Sequence, residues 1–144
     1  MTSVLVSAKV LVGEAMRCID TVDVDEALRR QRDEGALLVD VREAAELASD
    51  GTIPGAHHAP RGLIEFLADP QSAWHDPAFA DPARPYVLFC GIGWRSALAA
   101  QTLQQMGFTH VAHLGGGFTA WKDAGAVVDM PRSVTTTAED PAAL

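Results

Sequence analysis

Tyr86-Val87-Leu88-Phe89-Cys90-Gly91-Ile92-Gly93-Trp94-Arg95-Ser96 is an apolar run that stops at a cysteine, turns through two glycines and enters a helical pattern reaching Met106. A short continuous apolar run followed by this pattern predicts a buried strand, a tight loop and a helix start. Sites in open α/β sheets lie outside the carboxyl ends of the strands. A helix start adds unpaired amides and a positive dipole end that favour an anion. A cysteine held there is expected to give up its proton more readily than a free thiol, and the thiolate is the nucleophile. Gly91 and Gly93 admit the backbone angles that turn successive amides inward into an anion-holding nest. Arg95 keeps its charge and is expected to bridge loop carbonyls or meet an oxyanion. Ser96 is expected to cap the helix or to hydrogen-bond the sulfur. The blander reading is a buried, inert cysteine at a strand end. Cys-Gly-x-Gly-x-Arg at a strand-to-helix junction favours a thiol that accepts a group and carries it covalently.

Outward from this loop, strands and helices alternate. Ala36–Val41 reads as a second buried strand, and Ile19–Val22, Ala56–His58 and Val111–Leu114 as shorter ones. Asp23 with Glu26 is a capping box opening a helix that stops at Gly35. Further helices are expected over 42–49, 62–67 and 118–124, with Asp76–Pro85 a surface excursion rather than an element. This order predicts a mainly parallel sheet with helices on both faces. Residues 1–18 read as an N-terminal helical extension, 19–129 as one domain, and 130–144 as a tail too polar to pack.

Composition narrows the function classes. A formal charge of −8 and a pI near 4.9 oppose nonspecific nucleic-acid binding. The apolar start at 1–12 falls short of the roughly 20 residues of a membrane span and lacks a signal-peptide pattern, so a cytoplasmic protein is expected. Two cysteines, Cys18 and Cys90, read as free thiols. Neither a metal-ligand cluster nor a cofactor motif is evident, and Gly115–Gly117 lacks the lysine of a phosphate loop.

From about Ile19 to Asp129 the chain resembles a single-domain rhodanese of the rhodanese-like sulfurtransferase superfamily. The resemblance is carried, in order, by Leu38-Val39-Asp40-Val41-Arg42-Glu43, Gly51-Thr52-Ile53-Pro54-Gly55-Ala56, Cys90 to Ser96, and Gly115-Gly116-Gly117-Phe118 with Trp121 and Gly125. It implies a five-stranded, mainly parallel sheet flanked by helices. It also implies Cys90 as the nucleophile that carries a sulfane sulfur as a persulfide, cradled by Gly91, Ile92, Gly93, Trp94, Arg95 and Ser96. The donor would be thiosulfate or a low-molecular-weight persulfide. The acceptor would be a thiol such as glutathione or a thioredoxin-like protein, with no nucleic acid or membrane partner and no cofactor. Phosphate-using relatives have a loop one residue longer, which disfavours a phosphatase or arsenate reductase. A non-catalytic binding module of the same fold is the other alternative, and the intact cysteine weighs against it.

Two departures from the family pattern stand out. Thr52 replaces a frequent histidine, with little consequence expected. Positions 91–94 lack the basic residue of thiosulfate-using relatives, so Ile92 and Trp94 make an apolar rim and a persulfide becomes the better donor. Asp40 and Arg42 are expected beside the site, as an internal staple in preference to substrate contacts, and Arg61 as a rim residue or ordinary surface cation. The histidines, His113 among them, read as half-buried strand residues, and Cys18 as a packing residue.

Overall fold

The computed structural model describes residues 5–130. Five strands, β1 (Asp20–Val22), β2 (Leu37–Asp40), β3 (His57–His58), β4 (Tyr86–Phe89) and β5 (Val111–Leu114), form one sheet in the order β1-β5-β4-β2-β3. Every pairing is parallel, with Leu38 opposite Val87 and Leu88 opposite His113. The central strand β4 is buried along its whole length, which explains its unbroken apolar sequence. The expected fold class holds, and the sheet is wholly parallel.

Six helices cover it: α1 (Ala8–Cys18), α2 (Val24–Asp33), α3 (Ala44–Asp50), α4 (Ile64–Ala68), α5 (Trp94–Gln105) and α6 (Gly117–Asp123). The strands' alternating side chains split the core in two. Val39, Val41, Leu88, Cys90 and Val111 pack with α1, α4 and α5. Leu38, Val87, Phe89, Ala112 and Leu114 pack with Ala27 of α2 and with Phe118 and Trp121 of α6. The capping box forms as expected, with the Glu26 amide donating to Asp23 Oδ1 at 2.8 Å. No helix among the described residues is long and apolar enough to cross a membrane.

The segment before β4 departs from expectation. It contains a 3₁₀ turn, Pro77–Phe79, and Phe79 is buried, stacked on Tyr86 with ring centroids 5.6 Å apart and edge-on to Phe108. The Tyr86 hydroxyl lies 3.0 Å from the carbonyl oxygen of Ala78 and 2.9 Å from that of Asp81, which ties the segment to the sheet. One aromatic among prolines leaves no periodic signal, so its burial is invisible to pattern reading. Cys18 is exposed rather than packed. It precedes β1 whereas Cys90 follows β4, so in a parallel sheet the two thiols sit at opposite strand ends. Residues 131–144, most of the expected tail, lie outside the described residues.

Candidate active site

Strand β4 delivers Cys90 to the carboxyl edge of the sheet, and α5 begins four residues later. Gly93 occupies the cap position of α5 with φ of 112°, a left-handed turn suited to glycine. That turn aims the Gly93 amide at Cys90 Sγ, 3.1 Å away, while the Ser96 amide donates to the same sulfur at 3.4 Å. Cys90 is only 1% exposed. Two amides of the expected nest therefore reach the sulfur, at the positive end of a 12-residue helix.

Ser96 is not the helix cap. It lies in the first turn, buried, with its hydroxyl 3.5 Å from Cys90 Sγ, 3.3 Å from the Gly93 carbonyl and 3.1 Å from Nδ1 of His113. Strand alternation places His113 on the α5 side of β5, with its other ring nitrogen 2.9 Å from Oγ1 of Thr21 on edge strand β1. Burial lowers the His113 pKa below its ordinary value, favouring the neutral ring. Sequence reading did not single out His113 for the site. Its position two residues after Val111, on the face that meets α5, was the available signal.

Arg95 is engaged by an acidic partner on α3. Its guanidinium makes a two-pronged pair with the Glu46 carboxylate at 2.9 and 3.2 Å, an arrangement that raises its pKa further. It flanks the loop backbone, 3.3 Å from where a Cβ on Gly91 would stand. Ile92 and Trp94, the loop's two large apolar side chains, are 65% and 45% exposed. Arg61, following β3, lies 3.7 Å from Glu65.

Asp40 and Arg42 form a wholly buried staple. Arg42 donates to both Asp40 oxygens at 3.0 and 2.8 Å and to the Gly51 carbonyl at 2.7 Å, with its guanidinium 4.3 Å from the Phe118 ring centroid. Thr52, whose identity was expected to matter little, donates its hydroxyl to Asp40 Oδ2 at 2.8 Å. It also bridges to Asp129 through paired backbone bonds, so it helps close the domain on itself.

The glycine run before α6 supports the loop from behind. The Phe118 amide donates to the Cys90 carbonyl at 2.7 Å and the Thr119 amide to the Gly91 carbonyl at 3.1 Å. Among the described residues no group of three or more potential ligands could hold a metal ion. His57 instead pairs with Asp76, and His58 lies 2.8 Å from the Arg42 carbonyl.

The buried sulfur at the carboxyl edge is thus held by loop amides and backed by a glycine-rich helix start. The rhodanese-like domain matches residues 23–124. The chain belongs to the rhodanese-like family. It is 33% identical over 91 residues to the thiosulfate sulfurtransferase GlpE of Pseudomonas savastanoi pv. phaseolicola, covering 63% of this chain and 76% of the relative. A solved protein of unknown function from Rhodopseudomonas palustris, described as a possible tyrosine phosphatase, is 37% identical with a TM-score of 0.82, covering 90% of this chain and 98% of its own. The polysulfide-sulfur transferase homodimer of Wolinella succinogenes is 28% identical with a TM-score of 0.66, over 90% of this chain and 91% of its own. At the level of the family, this rhodanese-like chain is a sulfurtransferase.

Proposed function

We propose that Cys90 accepts a sulfane sulfur from a persulfide-type donor, holds it as a persulfide and passes it to a thiol. The observation that carries this reading is the sulfur's setting, with the amides of Gly93 and Ser96 directed at Sγ in a site nearly closed to water. Fixed donors of this kind stabilise a thiolate, and then the charge on a persulfide, without reorganisation during the reaction. The donor's outer sulfur bonds to Sγ as the donor's remaining group leaves with the bond electrons. In the second half an acceptor thiolate attacks that sulfur, and Cys90 leaves as thiolate.

Two features favour a persulfide over thiosulfate. The rim is apolar at Ile92 and Trp94, and the nearest loop cation, Arg95, is already paired with Glu46. That same pairing speaks against a phosphatase reading of this chain, since a phosphoryl group needs cationic donors free to meet it. A low-molecular-weight thiol such as glutathione, or a thioredoxin-like protein, is the acceptor class in this reading. Two free cysteines suit a reducing, cytoplasmic setting.

Incubation with glutathione persulfide, thiosulfate or an aryl phosphate, followed by intact mass and phosphate release, tests the assignment. The expected result is a gain of one sulfur from the persulfide, less from thiosulfate, and none in Cys90→Ser. No sulfur gain from either donor, or phosphate release that depends on Cys90, would overturn it.

A further inference from the structure

The reactive thiol is joined to the edge of the sheet by a line of hydrogen-bonding groups that the transfer chemistry does not itself require. From Cys90 Sγ it runs to Ser96 Oγ at 3.5 Å, to Nδ1 of His113 at 3.1 Å, and from Nε2 of His113 to Thr21 Oγ1 at 2.9 Å. Cys90, Ser96 and His113 are buried, whereas Thr21 is exposed. We propose that His113 is a positioning residue that carries the Cys90 proton to the surface at Thr21, exchanging one ring tautomer for the other as the thiol ionises.

Each group has the donors and acceptors this needs. A neutral imidazole has one N–H and one lone pair, and a hydroxyl both donates and accepts. In the thiol state Sγ–H donates to Ser96 Oγ, the Ser96 hydroxyl donates to Nδ1, and Nε2–H donates to Thr21. On ionisation the Sγ proton moves to Ser96 Oγ as the Ser96 proton moves to Nδ1. The Nε2 proton passes to Thr21 Oγ1, whose own proton leaves to a water or buffer base. The thiolate remains, now accepting from the Ser96 hydroxyl as well as from the Gly93 and Ser96 amides. The ring begins and ends neutral, as its burial favours.

The surrounding charges are few. On the elements packed against this line they are Arg95 on α5, Asp20 on β1, and Lys9, Glu14 and Arg17 on α1. Asp20 and the three on α1 are exposed, and Arg95 is held by Glu46. Desolvation is the cause of the His113 shift.

This inference rests on Cys90 as the nucleophile, and alkylation tests it without any sulfur donor, so its failure is distinguishable from failure of the transfer assignment. In a Cys18→Ser background, iodoacetamide labelling of Cys90 is followed by intact mass across the pH range where thiols ionise. His113→Asn is expected to slow labelling at neutral pH about tenfold and to move the profile up by about one unit. In a Ser96→Ala background His113→Asn should add nothing further, because the line is already cut. Nitrogen-15 NMR of the unmutated ring gives a reading independent of whether any variant folds. Nε2–H below the labelling midpoint and Nδ1–H above it are expected. An unchanged tautomer, or superposable labelling profiles for parent and folded His113→Asn, would overturn the proposal.

Discussion

The Phe118 amide donates to the carbonyl of Cys90 at 2.7 Å, so the helix that follows β5 begins against the back of the loop that follows β4. Such an approach leaves no room for a side chain. A Cβ at Gly117 would stand 2.5 Å from the Cys90 carbonyl oxygen and 2.6 Å from that of Gly91, and φ there is +60°. Gly117→Ala should therefore destabilise by about 2–4 kcal/mol and disturb the sulfur's amides, lowering transfer at least in proportion. Gly125, at φ +75° with open space around it, is the control. Gly125→Ala should cost only about 1–2 kcal/mol, from left-handed backbone alone. Urea denaturation of the two variants beside the parent measures the contrast, and equal losses would refute it.

Asp40 and Arg42 were foreseen as a staple, and their burial makes a sharp stability test. Asp40→Ala leaves the Arg42 guanidinium buried without its counter-charge, which should cost about 3–5 kcal/mol. Replacing both, as Asp40→Leu with Arg42→Met, should recover much of that. Thr52→Val removes the hydroxyl donated to Asp40 and should cost about 1–2 kcal/mol. Urea midpoints at unchanged slope provide the readout.

The Arg95–Glu46 pair is part-exposed, so its contribution to stability is small, about 0–1 kcal/mol. Its effect on donors should be larger. Glu46→Gln frees the guanidinium beside the loop, and the KM for thiosulfate is expected to fall several-fold with kcat little changed. The KM for a neutral polysulfide should stay where it is. A fall in kcat alone would contradict the role given to Glu46.

His113 also predicts a pH dependence of folding. Its pKa is lowered from 6.5 by burial, so the folded state resists protonation. Above about pH 6.5 the ring is neutral in both states and contributes no slope. As pH falls below that value the unfolded chain binds the proton first, and stability declines until the folded ring titrates too. Thermal unfolding should therefore show a downward bend on the acid side of pH 6.5 that is flattened in His113→Asn. Parallel curves for the two proteins would show that another group causes the bend.

Phe79 offers a plain packing test. Phe79→Ala empties a site between Tyr86 and Phe108 and should cost about 3–5 kcal/mol, visible in the melting temperature, while Trp74→Ala on the exposed surface of the same segment should cost far less.

What pattern reading recovered and what it missed divide along physical lines. The strand, loop and helix around Cys90 were legible because burial on both faces leaves an unbroken apolar run and the turn demands glycine. The Asp40–Arg42 staple was legible because two charges bordering such a run need each other. His113 was not, because its partners lie 17 residues before it and 92 residues before it and nothing local marks their convergence. Arg95 was legible as the loop's cation, but its pairing with Glu46 was not. Adjacency to a cysteine says nothing of where the first helical turn sends a side chain, and Glu46 is 49 residues away. Phe79 and Thr52 likewise owe their burial or bonding to segments that meet only in the folded chain.

The opposite placement of the two thiols gives the molecule a built-in reference electrode. Cys18 is open to solvent at one end of the sheet, and Cys90 is enclosed at the other. Any reagent, oxidant or sulfur donor added to the protein meets both within one chain and at one concentration. The ratio of modification at Cys90 to that at Cys18 reports what the enclosure does to a thiol, with reagent strength, dose and time cancelled.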